Sequence, residues 1–273
     1  RGEPVPARER TRLCAPAGGM QALVDRLAQE LGDTVRLGAS VSSLRPLRPP
    51  RAPRGAVPDA VELRFAAGPP QVHDAVVLAA PAWAASGIVR DVDPTLATEL
   101  AALHYAPAAV VYLGFDRDQI RPPLDGFGFL VAEGEPLRLL GCIFESVLWP
   151  ARAPAGRVLL RCIFGGTRDP EAASLGDDEL VAHARADLQR ALGIEAPLVY
   201  RAVTRWPRAI AQYPVGHRDW VARVEAAARP LGVVLAGSAY RGVAVNDCVA
   251  GGPRVGRDIG QLRRTMFAGD GER

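Results

Sequence analysis

Residues 233–252, VVLAGSAYRGVAVNDCVAGG, hold the residue types and spacing that most directly imply chemistry. A β-branched run meets a turn of small residues and then opens a helix. Gly237, Ser238, Ala239 and Gly242 keep bulk away from the turn, so a ligand can approach the backbone closely. Asn246 or Asp247 is placed to cap a helix whose body runs through Val249, Val255, Ile259 and Leu262. The amides of Val243, Ala244 and Val245 then have no partner inside the helix and carry the positive end of its dipole. Such an end suits an anion. The same pattern also fits a buried strand-to-helix corner without a ligand, because glycine turns of this kind are common in α/β folds.

Side chains offer less. The sequence contains no lysine, which excludes a Walker-type phosphate loop, a Schiff base and a lysine general base. Cys14, Cys142, Cys162 and Cys248 form no C-x-x-C pair, and His73, His104, His183 and His217 stand isolated. Neither set has metal-ligand spacing, so no metal site is assigned, and the cysteines read as reduced structural thiols. No side chain stands out as a catalytic acid, base or nucleophile. With a net charge of +3, 48% hydrophobic and 23% charged residues, the 273-residue chain reads as an ordinary globular protein able to bury a sizeable core. Its arginines do not alternate with aromatics, which argues against a nucleic-acid surface. No apolar run reaches the roughly 18 to 20 residues of a spanning helix. The chain starts at Arg1 rather than Met and reads as a fragment.

The elements that must position the turn follow from periodicity. After a charged, proline-containing tail over residues 1–14, Met20, Leu23, Val24, Leu27 and Leu31 recur at helical spacing, with Gly32 as the cap. A strand is predicted over residues 35–41. Residues 46–58 are too proline-rich for a helix or central strand and read as a hairpin tip. Residues 60–65 and 72–80 read as an antiparallel pair returning to the main sheet. A helix with ATELAALHY, then strands over AVVYLGF, GFGFLV, 139–147 and 158–164, imply an antiparallel sheet. Residues 177–192 form a clear helix ended by Gly193, followed by a strand over 198–206 and a short helix over 219–229.

LAGSAYRGVAVNDC resembles the C-terminal flavin motif of the protoporphyrinogen oxidase family, within the flavin amine oxidase superfamily. GGMQAL with the strand that follows, HDAVVLAAP, GFGFLV and WPRAIAQYPVGH resemble further family segments, so the resemblance runs from Gly18 to about Ile259. Ala211 departs from the family pattern, which has proline there. The resemblance implies FAD, with Gly237, Gly242, Val243, Ala244 and Val245 at the pyrimidine edge of the flavin ring. It also places Val41 at the adenine end and Trp206 beside the flavin, and sets Phe127, Gly128, Leu130 and Ile163 against a tetrapyrrole substrate. A plain core strand is the ordinary reading of Val41, of GFGFLV and of a tryptophan such as Trp206.

The fold implied is α/β: a partial FAD-binding, Rossmann-like domain with an inserted α+β substrate domain built on an antiparallel sheet. Its boundaries are 1–90 and 220–273 for the FAD domain and 91–219 for the substrate domain. The implied activity is oxidation of protoporphyrinogen IX to protoporphyrin IX with molecular oxygen as acceptor, this chain being a C-terminal portion without the G-x-G-x-x-G motif. It also implies a cytoplasmic protein, or one peripheral on the cytoplasmic face of the inner membrane. Peripheral membrane association and a homodimer are compatible with it, and no nucleic acid is involved. The alternatives are a coproporphyrinogen III oxidase of the same family, a more distant amine oxidase or carotenoid desaturase, and a non-catalytic α/β interaction module.

Overall fold

The computed structural model describes residues 14–48 and 57–267, so the N-terminal tail and most of the proline-rich stretch lie outside the described residues. Two compact units divide between Ala39 and Ser40. The first holds α1 (Gln21–Leu31), closed by Gly32 at φ 52° where the sequence places its cap. None of its helical residues is buried. The strand predicted over 35–41 does not form. Gly38 adopts φ 71° in a turn with Leu37, which interrupts extended backbone, and the strand starts only at Val41.

The second unit contains two apolar cores. Around the first, β1 (Val41–Leu47), β2 (Ala60–Phe65) and β3 (Gln71–His73) form an antiparallel sheet in that order. Pro46, expected in a turn, lies inside β1 opposite Val61. It is tolerated because β1 is an edge strand, where a missing N–H costs no ladder bond. After β3 the chain bends at Asp74 and continues as β4 (Val76–Leu78), which pairs in parallel with β10 (Val233–Leu235). Three helices, α2 (Ala82–Val89), α3 (Pro94–Ala101) and α6 (His217–Ala228), contribute to the core that also holds Leu44, Val61, Leu78 and Leu235. The Tyr105 hydroxyl accepts from the first helical amide of α2, Ala82 (2.9 Å), where the preceding Pro81 offers no capping side chain.

The second core lies under a five-stranded antiparallel sheet of β5 (Tyr105–Asp116), β6 (Gly128–Leu130), β7 (Gly141–Ile143), β8 (Arg157–Gly165) and β9 (Tyr200–Ala211). Their order is β6-β7-β8-β5-β9. One face is closed by α5 (Asp177–Leu192), whose Leu180, Val181, Ala184 and Leu188 join the core with Val111, Leu113, Leu160 and Cys162. Along β8, Val158, Leu160, Cys162 and Phe164 are buried, while Leu159, Arg161 and Ile163 are half-buried, so alternate residues face an open side. The strand predicted over 139–147 is shorter. It ends at Ile143 and turns into α4 (Glu145–Leu148), because the Ser146 hydroxyl takes the Leu159 amide (3.0 Å) that a longer strand would have paired. Residues through Leu103 belong to the first core and the second begins at Ala109. The chain is back in the first core at Ala211.

Candidate flavin loop and substrate face

The Ala236 amide donates to the Leu78 carbonyl (2.9 Å) as the chain leaves β10. Gly237 follows at φ 106°, where an added Cβ would sit 3.3 Å from the Ala79 carbonyl oxygen. Gly242 adopts φ 137°, and a Cβ there would overlap the Asp247 side chain. Backbone conformation therefore demands glycine at both positions. Helix α7 (Val245–Phe267) starts at Val245. Asp247 lies within its first turn and not ahead of it, and its carboxylate reaches back to accept from the Ala244 amide (3.2 Å). This corrects the expectation of three open amides: Ala244 is occupied, whereas those of Val243 and Val245 have no partner among the described residues. The Asp247 charge also offsets part of the positive helix end. Beside the loop is a recess of about 160 Å³ lined by Gly237, Arg241, Gly242, Asp247, Cys248 and Gly251. Whole ligand pockets occupy roughly 300–1,000 Å³. The recess can take the edge of a ring system but not the whole.

Two side chains outside the loop hold it in shape. The Tyr213 hydroxyl accepts from the Gly242 amide (2.9 Å) and donates to the Ser238 carbonyl (2.7 Å), tying the two ends of the turn together. Burial raises the Tyr213 pKa, so the hydroxyl keeps its proton and can go on donating throughout the ordinary pH range. Its ring stacks on buried His217 at 3.8 Å, and His217 Nε2–H donates to the Tyr240 carbonyl (3.1 Å). Arg241 of the loop grips Glu225 of α6 through two contacts of 2.5 and 3.1 Å. In the sequence, QYPVGH stands out only as a family signature, and nothing in it singles out Tyr213.

The other proposed flavin residues sit on separate elements. Val41 is the half-buried first residue of β1, opposite Phe65, where the register slips between Val41 and Ser43. Trp206 lies on β9 opposite Ala108 and is exposed, next to an irregularity between Ala106 and Ala108.

Strand register brings three of the four proposed substrate residues onto one surface. One cross-sheet row runs Leu130, Gly141, Ile163, Val110 and Thr204, and the next runs Gly128, Ile143, Arg161, Tyr112 and Ala202. Gly128, Leu130 and Ile163 thus share the open face. Phe127 precedes β6 and lies outside these rows, with its carbonyl accepting from the Phe144 amide (3.0 Å) and its ring exposed. It is Phe129 whose ring packs against the second core. Gly128 has φ 142°, and a Cβ there would overlap the Cys142 carbonyl. The β6–β7 pairing itself requires this glycine, whatever lies on the open face.

The sequence pattern of the family described as flavin containing amine oxidoreductase matches residues 7–260. The chain belongs to this family. It is 31% identical over 262 residues to the chloroplastic protoporphyrinogen oxidase of Nicotiana tabacum, a match covering 91% of this chain and 46% of that protein. With the coproporphyrinogen III oxidase of Bacillus subtilis (strain 168) it shares 30% identity over 179 residues, covering 64% of the chain and 37% of that protein. A crystal structure of a proposed protoporphyrinogen oxidase from Exiguobacterium sp. 255-15 superposes with a TM-score of 0.73 at 25% identity, covering 90% of this chain and 51% of that one. The chain therefore spans about half or less of the length of these relatives. The open amides of Val243 and Val245, the positive helix end and the two obligatory glycines are the kind of donor set that the anionic edge of a flavin ring would need. Among the described residues no helix is long and apolar enough to cross a membrane.

Proposed function

We propose that this chain forms the flavin-ring end and the substrate face of an FAD-dependent, oxygen-consuming porphyrinogen oxidase. The dinucleotide-binding segment would be supplied by the remaining length of the family fold. The open face of the five-stranded sheet carries this reading, because it lays Leu130, Ile163, Val110 and Ile143 in neighbouring positions as an apolar surface closed behind by α5. Such a surface suits a large flat ring system and keeps water from it. Bound flavin supplies hydride acceptance and electron transfer to oxygen. The chain's own part is positional: Tyr213 holds the loop, the amides of Val243 and Val245 donate to the negatively charged ring edge, and the sheet face orients the macrocycle. No side-chain acid or base is needed in this scheme. Both named relatives act on porphyrinogens, and protoporphyrinogen IX is the substrate inferred first, with coproporphyrinogen III as the second.

The test is direct. The full-length polypeptide carrying this chain should convert each colourless porphyrinogen to fluorescent porphyrin, with oxygen consumed in step. Oxidation of a primary amine with neither porphyrinogen turned over would replace the tetrapyrrole reading by the amine oxidase one.

A further inference from the structure

One charged group stands at the centre of the open apolar face. By register Arg161 lies between Ile143 and Tyr112 in its row, with Leu159 and Ile163 two positions away along β8. The other ion pair among the β-strand residues of this face, Asp116 with Arg157 at 2.6 Å, closes the end of the β5–β8 ladder. Arg161 instead meets Glu145, the first residue of α4, whose side chain is only 7% exposed. The Arg161 Nε and a Glu145 carboxylate oxygen are 3.0 Å apart, yet both are buried without an aligned hydrogen bond. Among the described residues Arg161 has no other polar partner. A guanidinium presents five N–H donors in a planar fork, and one Coulombic contact at Nε leaves the paired terminal donors unused. Placing a half-buried arginine in an apolar surface is costly unless its donors are satisfied.

The geometry points to Arg161 as the receptor for a side-chain carboxylate of the substrate, with Glu145 as the positioning residue that fixes its guanidinium. This rests on the reading of the open face as a porphyrinogen surface and deepens it, for it assigns a carboxylate subsite within that surface. A carboxylate fits the unused fork in two parallel hydrogen bonds, which a neutral ring substituent cannot provide. Glu145 holds the Nε side and leaves that fork free. The substrate class is accordingly a polycarboxylate tetrapyrrole that lays one propionate over the middle of β8.

The experiment measures binding of coproporphyrin III and of its tetramethyl ester to the chain by fluorescence quenching, for the unsubstituted chain, Arg161→Gln and Glu145→Gln. Arg161→Gln should weaken the acid about tenfold to a hundredfold, the range of a charge-assisted hydrogen bond, and leave the ester unchanged. Glu145→Gln should give a smaller loss, again for the acid alone. Retained ester binding shows that the variants are folded. Equal weakening of acid and ester, or of neither, would overturn the carboxylate subsite while leaving the porphyrinogen surface standing. Failure of the unsubstituted chain to bind either porphyrin would overturn both.

Discussion

Gly128 shows how a residue can be legible in kind and not in cause. The sequence marks GFGFLV as special, and the glycine between two phenylalanines suggests room for a ring. Its reason is nearer to hand, in the Cys142 carbonyl that any Cβ would strike and in a φ of 142° that L-residues rarely adopt. Gly128→Ala should therefore unpair β6 from β7 and cost more than the strained backbone alone, which is about 1–3 kcal/mol. Gly134→Ala is the control, since Gly134 has φ 89° but no atom within 4 Å of an added Cβ. Denaturant melts should show the larger loss at position 128. Equal losses would mean that strain alone sets the cost and the carbonyl moves aside. Asp247 and Tyr213 carry the same lesson. Which backbone group a side chain reaches depends on the path of a turn, and residue types fix that path only loosely.

At the scale of elements, periodicity was a reliable guide to faces and a poor one to partners and ends. The predicted helix at 177–192 is α5 with the same bounds, ended by Gly193 at φ 65°. Its alternation of leucines and alanines is covered by the sheet, and Leu188 is fully buried in the second core. α1 has an equally regular stripe, yet Val24, Leu27 and Leu31 are each more than half exposed. Sequence pattern says that a helix has an apolar face, and does not by itself say that the face is buried. Strand ends at 35–41 and 139–147 are set by single groups that periodicity does not see, a left-handed Gly38 in one and the Ser146 hydroxyl in the other. The reading of β9 stopped at Trp206, though the strand runs on to Ala211 across an irregularity opposite Pro107. Leu188→Ala should lower the unfolding free energy by about 2–5 kcal/mol, the usual cost of an emptied core site. A loss below about 1 kcal/mol in a denaturant titration would show that α5 is not clamped to the sheet.

For the whole molecule, the magnitude of flavin binding can be set against what the chain offers. The loop presents two open amides, those of Val243 and Val245. Each hydrogen bond contributes about 0.5–1.5 kcal/mol net, so together they supply about 1–3 kcal/mol. Micromolar retention needs about 8 kcal/mol. A recess of about 160 Å³ cannot bury enough of the ring to close that gap. The shortfall must come from the phosphate and adenine ends of the cofactor. Of those, the family resemblance assigns this chain only the backbone of Val41. A parallel pair of three-residue strands, β4 and β10, is likewise a small base for a domain type that normally covers both faces of a larger parallel sheet. The 273-residue chain by itself should therefore bind FAD with a dissociation constant far above 1 µM and lose it on gel filtration. The longer family polypeptide should be isolated yellow. Stoichiometric flavin retained by the chain alone would show that residues outside the loop, Trp206 and the β1 edge first among them, hold most of the cofactor.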